Sequence, residues 1–240
     1  MEKSNKIFLA IIIFCTLCVT GICAYAIINH EEVEITDAEK FKNEYESLNG
    51  IASDVNNVNY LEVNISDKNP MVYKTGKEII DILENENAFI FFGYANDPYC
   101  RSAIETLLET AKDNNVETIY YVDILNIRDS YEFSGSIIPK QTKKGTDAYY
   151  KIVKFFGKKL DRYYVRDEEG NMYDTGVKRL YASTLIAVSK KKIVDMHVNT
   201  VDSHTDPYVA LSDEQKEELS KIYQDLFSSI DSEVCTSNSC

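Results

Sequence analysis

The 240-residue chain contains no tryptophan, and its 26 Lys and Arg are outnumbered by 39 Asp and Glu, for a net charge of −13. A phosphate-binding surface needs an excess of Lys and Arg, so nucleic acid is not among the expected partners. Cysteine is scarce where it would matter for stability. Of the six cysteines, Cys15, Cys18 and Cys23 fall in an apolar run, which leaves Cys100, Cys235 and Cys240. The body of the chain thus has no possible internal disulfide, and ordinary core packing has to stabilise it. Internal repeats and low-complexity segments are absent too. His197, Asp202, His204 and Asp206 are rich in possible ligands, but their spacing matches no metal motif. They read as a polar loop with a turn at Asp206-Pro207, and neither a metal nor a cofactor is expected.

What is present is a chain long enough for one sizeable core, with 44% hydrophobic residues and 17 tyrosines in place of the missing indoles. Most of those tyrosines fall at core-facing or half-buried positions of predicted elements, where a ring packs and a hydroxyl stays polar. Ile7 to Ile28 carries no charge, and as a helix it would be about 33 Å long against roughly 30 Å of hydrocarbon. Lys3 and Lys6 precede it, while Glu31, Glu32 and Glu34 follow. The positive-inside bias therefore puts residues 1–6 in the cytoplasm, 7–28 in the membrane, and the rest outside. A cleaved signal peptide is the alternative, since Ala24-Tyr25-Ala26 has the small-x-small form of a cleavage site.

Residues 29–59 read as an acidic link and a short helix opened by the capping box Thr36-Asp37-Ala38-Glu39. From Tyr60 onward the pattern is βαβαβαββα. A strand is expected over Tyr60–Ile65, a helix over Thr75–Glu86, and a fully covered central strand over Ala88–Phe92. Asp97 fits an N-cap and Pro98 a first helical residue. Ala103, Ile104, Leu107, Leu108 and Ala111 give that helix an apolar face. A strand over Thr118–Ile124, an irregular stretch over Ile127–Lys144 and a helix over Thr146–Leu160 come next. A hairpin around Glu169-Gly170-Asn171, antiparallel strands over Thr184–Val188 and Ile193–Val198, and a helix capped by Ser212 complete the domain near Asp231. Residues 232–240 form a tail bearing Cys235 and Cys240.

Strand, loop, Asp97-Pro98-Tyr99-Cys100 and helix resemble the thioredoxin and glutaredoxin active site, a strand-to-helix turn carrying Cys-x-x-Cys. The resemblance implies an α/β thioredoxin-like fold, with a mixed sheet flanked by helices and an N-terminal transmembrane helix. It places Cys100 at the resolving cysteine and Asp97 at the attacking one, Ser183 where the family has a cis-proline, and Phe91 where many members bury an acid. Together with Asp174-Thr175-Gly176, Arg179-Leu180-Tyr181-Ala182, Thr200-Val201-Asp202-Ser203 and the tail cysteines, the pattern is similar to membrane-attached thioredoxin-like proteins of Gram-positive bacteria. The implied function is a tethered protein- or peptide-binding module with a degenerate dithiol site. The alternative is a thiol-disulfide oxidoreductase that uses Cys100 with Cys235 or Cys240. Asp97 cannot form a mixed disulfide, and a cis bond before Ser183 would cost about 2.5 to 4 kcal/mol. Cys235 and Cys240, four residues apart, can also close a local disulfide of their own. The anchor reading is checked by mass spectrometry of the chain extracted from membranes. It should retain its full 27.4 kDa, whereas loss of the first 26 or so residues would establish cleavage.

Overall fold

The computed structural model describes Thr16, residues 35–189 and residues 191–237, with side chains described as far as Ile230. The run Ile7–Ile28 lies outside the described residues apart from Thr16. Among those described, no helix is long and apolar enough to cross a membrane. Residues 36–240 make one compact unit.

Its centre is a mixed five-stranded sheet in the order β1 (Met71–Tyr73), β3 (Ile119–Asp123), β2 (Ala88–Gly93), β8 (Thr184–Ser189) and β9 (Lys192–Val198). The first three run parallel; β8 is antiparallel to β2, and β9 to β8. The central strand Ala88-Phe89-Ile90-Phe91-Phe92 is apolar throughout because both of its faces are covered. Side chains alternate across a strand. Phe92 accordingly meets Phe156 of α5 (Asp147–Phe156) on one side, at 5.5 Å between ring centroids. Phe89 meets Phe227 of α6 (Asp213–Ser237) on the other, at 4.9 Å. On the α5 side that helix packs on α2 (Gly76–Asn85); on the α6 side its neighbour is α3 (Pro98–Asp113). The architecture is therefore α/β, a mixed sheet flanked by helices.

The caps read at Thr36 and Ser212 formed, and two further threonine caps, not read from the sequence, stand at Thr75 and Thr146. Thr36 and Thr75 each close a capping box, with Glu39 and Glu78, at the starts of α1 (Asp37–Glu46) and α2. Thr146 caps α5, and Ser212 exchanges bonds with Gln215 ahead of α6. The hairpin around Gly170 joins β6 (Arg162–Arg166) to β7 (Met172–Lys178).

Three expectations need correcting. Tyr60–Ile65 is not a strand, although Val63 and Ile65 are buried as the alternation implied. Its backbone is satisfied by side chains instead of a ladder. Asn49 takes both the N–H and the carbonyl of Val63, Glu105 takes the Asn64 N–H, and Glu46 takes that of Ile65. The first strand is Met71–Tyr73. Residues 127–144 are not irregular throughout, since the one-turn helix α4 (Ile124–Ile127) precedes a small hairpin of β4 (Ser130–Glu132) and β5 (Lys140–Lys143). β5 is exposed throughout and no residue of β4 is fully buried, so no hydrophobic alternation marks them. Finally, α6 runs to Ser237, so Cys235 stands on a helical backbone and not in a free tail. Cys240 lies outside the described residues.

Two buried arginines fasten the additions to this sheet. Arg101, on the first turns of α3, is almost wholly buried and makes no ion pair among the described residues. Its guanidinium donates to the carbonyls of Leu61 (2.7 Å), Tyr45 (2.8 Å) and Ala95 (3.2 Å) and to Asn49 Oδ1 (2.7 Å). Arg179, beyond β7, donates to Asp129 at 2.8 Å, with side chains 4% and 2% exposed, and lies 3.6 Å from the centroid of Tyr163. Arg101→Leu should lower the unfolding free energy by at least about 3 kcal/mol, because several oxygens would be left buried without a donor. Arg162→Ala, which removes an ion pair to Asp174 from an arginine that is 62% exposed, should cost no more than about 1 kcal/mol. Urea titration of the two variants tests the contrast.

Candidate functional site

The β2 strand ends at Gly93, the chain turns through Tyr94 to Asn96, and α3 begins. Asp97 has extended backbone angles, and its carboxylate accepts the Cys100 N–H at 2.8 Å. With Pro98 supplying a fixed φ at the first helical position, this is the N-cap that the sequence indicated. Cys100 therefore points back under the turn. A Cβ placed on Gly93 would come within 2.9 Å of Cys100 Sγ and 2.8 Å of a Phe91 ring carbon. Only glycine permits that approach.

Cys100 is fully buried and free. Burial is the main influence raising its thiol pKa well above the usual value, and the Asp97 carboxylate adds to it. The backbone N–H groups of Tyr94 and Ser183 pull the other way without prevailing. The opposition from Asp97 is as expected, but removal from water is the larger cause. The helix-start position, which alone would favour a thiolate, is overridden. Asp97 is itself held above the ordinary carboxylate range, chiefly by burial, while its bonds to Cys100 and Tyr94 and the charge of Arg128 act against that.

Ser183 sits where β8 begins, across the sheet from Gly93. Among the described residues no peptide bond is cis, and Ser183 instead takes a left-handed φ of 57°. Its hydroxyl is buried without a hydrogen-bond partner. Its carbonyl accepts the N–H of Asn199, which also has a positive φ, 63°. Phe91 is buried beneath the site. The structure thus brings Asp97, Cys100 and Ser183 together. Of Cys235 only the helical backbone is described, so the tail pair is not placed with them.

Beside the sealed thiol lies an open cleft of about 410 Å³. One wall comes from the β2–α3 turn, with Tyr94, Asp97 and Tyr99; the far side comes from Arg128, just past α4, and Tyr163 on β6. Arg179, Tyr181 and Ala182 approach from the segment leading into β8, and Asn199 from the end of β9. Arg128 donates to the Tyr94 hydroxyl at 3.1 Å and lies 4.9 Å from that ring's centroid. The Tyr94 phenol is pushed up to about 12, first by burial and then by Asp97. None of Arg128, Tyr163 or Asn199 was singled out from the sequence, and no role was read for Arg179 or Tyr181. No local spacing marks them, because the cleft gathers segments as much as 105 residues apart, from Tyr94 to Asn199.

Of His197, Asp202, His204 and Asp206, the first stands on β9 and the other three lie in the loop that follows it, so the polar loop expected for all four holds only from Asp202 onward. His204 is buried, with one ring nitrogen 2.8 Å from the Thr200 hydroxyl and the other 2.9 Å from the Val209 carbonyl. Asp206 accepts the Tyr208 N–H in a turn. Among the described residues, no group of three or more His, Cys, Asp or Glu side chains is gathered as a metal site would need. No family model, curated protein or solved structure matches the chain.

The raised thiol gives a pH test with a definite sign. A group whose folded pKa lies above its unfolded value contributes stability below the unfolded value and loses it as pH rises. The unfolded thiol ionises near pH 8.5. Above that pH the unfolding free energy should fall, Cys100 contributing up to about 1.4 kcal/mol per pH unit. Buried Tyr45, Tyr121 and Tyr223, all raised chiefly by burial, would add to the slope nearer pH 10. In urea titrations from pH 7 to 10.5, Cys100→Ser should flatten the part below pH 10 and leave the later fall. An unchanged early slope would show that the thiol does not carry it.

Proposed function

We propose that this chain is a membrane-tethered, extracytoplasmic module of thioredoxin-like fold that binds a protein or peptide through the cleft beside Cys100, its dithiol chemistry having been lost. The observation that carries the reading is the contrast between a fully buried thiol and the open, tyrosine-lined cleft next to it. A thiol-disulfide exchange catalyst needs an accessible thiolate. Here the sulfur lies under Gly93 and Phe91, its pKa is raised, and a capping carboxylate stands in the attacking position. The parallel β1–β3–β2 order, the antiparallel β8–β9 pair and the helix begun by Asp97-Pro98 agree with a thioredoxin-like arrangement. Tethering rests on the uncharged run Ile7–Ile28 and its flanking charges.

A peptide library screened against the full chain in detergent micelles is expected to yield ligands lost in Tyr99→Ala and Tyr181→Ala and retained in Cys100→Ser. Insulin reduction by dithiothreitol should proceed at the buffer rate with or without the protein. Acceleration that disappears in Cys100→Ser, or a disulfide from Cys100 to Cys235 or Cys240 found by peptide mapping, would overturn the reading in favour of the oxidoreductase.

A further inference from the structure

The cleft is unusual for this chain in its charge. In a protein of net charge −13, its ionisable lining, tyrosines aside, is Arg128, Arg179 and Asp97. Each of these has a different degree of commitment. Asp97 is occupied by the Cys100 N–H. Arg179 is paired with Asp129, yet its Nε, sealed within the structure, has no hydrogen-bond partner. Arg128 makes no ion pair within 4.0 Å among the described residues. Asp97, Asp123 and Asp129 feel its charge only as a secondary influence, behind their own burial. Among the described residues, its guanidinium donates one hydrogen bond, to the Tyr94 hydroxyl, and lies 4.9 Å from that ring's centroid.

A guanidinium positioned on an aromatic face and lacking a carboxylate is half of a recognition pair. The remaining neighbours are donors or amphipathic surfaces, namely the Asn199 amide and the rings and hydroxyls of Tyr99, Tyr163 and Tyr181. One uncommitted positive charge, flanked by Asp97 and with Asp129 behind Arg179, suits a planar monoanion. A phosphate dianion would meet both acids.

We infer that the cleft recognises a carboxylate on the bound peptide, taken by the guanidinium of Arg128 with Asn199 and the tyrosine hydroxyls beside it. This rests on the peptide-binding reading and adds the chemistry of the ligand. The carboxylate is either the free C-terminus or an acidic side chain.

The test uses the full chain in detergent micelles and the fluorescein-labelled pentapeptide Gly-Tyr-Ala-Tyr-Leu in three forms. These are the free C-terminal acid, the C-terminal amide, and the amide with Glu in place of Ala. Fluorescence anisotropy should show one or both carboxylate forms binding about tenfold more tightly than the plain amide, and whichever gains identifies the source. Arg128→Gln should shrink that advantage to under about threefold, and Arg128→Lys should keep part of it. Acetate should compete with the carboxylate form at lower concentration than inorganic phosphate. Equal affinity for all three peptides, an advantage untouched in Arg128→Gln, or stronger competition by phosphate would each overturn the inference while peptide binding stood. Absence of binding by every peptide would overturn both.

Discussion

Burying a guanidinium away from water is tolerable only if nearly every donor it carries is satisfied, and Arg101 does this without a counter-ion. Its four acceptors come from the end of α1, from the loops at Asn49 and Leu61, and from the turn after β2. The segment before the sheet is thereby fixed to the residues that open α3. Burial lowers the guanidinium pKa somewhat, but the group remains charged. Removing it would release the Ala95 carbonyl in the very turn that places Asp97 and Cys100. The position of the thiol thus depends on a side chain one residue away that points in another direction.

Arg179 performs the corresponding task on the opposite flank. Its pair with Asp129 and its stacking on Tyr163 join the β4–β5 and β6–β7 hairpins to the segment leading into β8. Both carboxylate and guanidinium are nearly sealed, so the pair's net stability is small, but the loss of either partner would leave a charge buried alone. Burial in fact pushes Asp129 above the ordinary carboxylate range despite the arginine. What the pair supplies is placement. With the hairpins held there, the end of the sheet acquires a far wall, and a flat surface beside the thiol becomes a cleft.

Local signals were legible in the sequence and long-range ones were not. Thr36-Glu39, Ser212-Gln215 and Asp97-Pro98 each encode a helix start within four residues, and all three stand as read. The run Ala88–Phe92 could only be a covered strand. Tyr60–Ile65 misled because alternation reports which side is buried, not what satisfies the backbone. There, side chains of Asn49, Glu46 and Glu105 replaced a neighbouring strand. The β4–β5 hairpin carries no apolar alternation to read. The depth of Cys100 was hidden for a related reason, since it is set by Gly93 and by Ser183, which lie in other segments.

On the reading proposed above, loss of the dithiol chemistry would leave the site in place. A dithiol turn has to expose its first sulfur, and an aspartate there makes a stronger cap than an exposed thiol would. Here Asp97 is committed to the Cys100 N–H, and the Cys100 sulfur lies against Gly93. At the start of β8, Ser183 adopts a left-handed trans conformation whose carbonyl anchors Asn199. That bond ties the loop after β9 to the start of β8, beside the cleft that the inserted hairpins enclose. What remains open at the carboxyl end of the parallel strands is a surface of tyrosines and the Arg128 guanidinium.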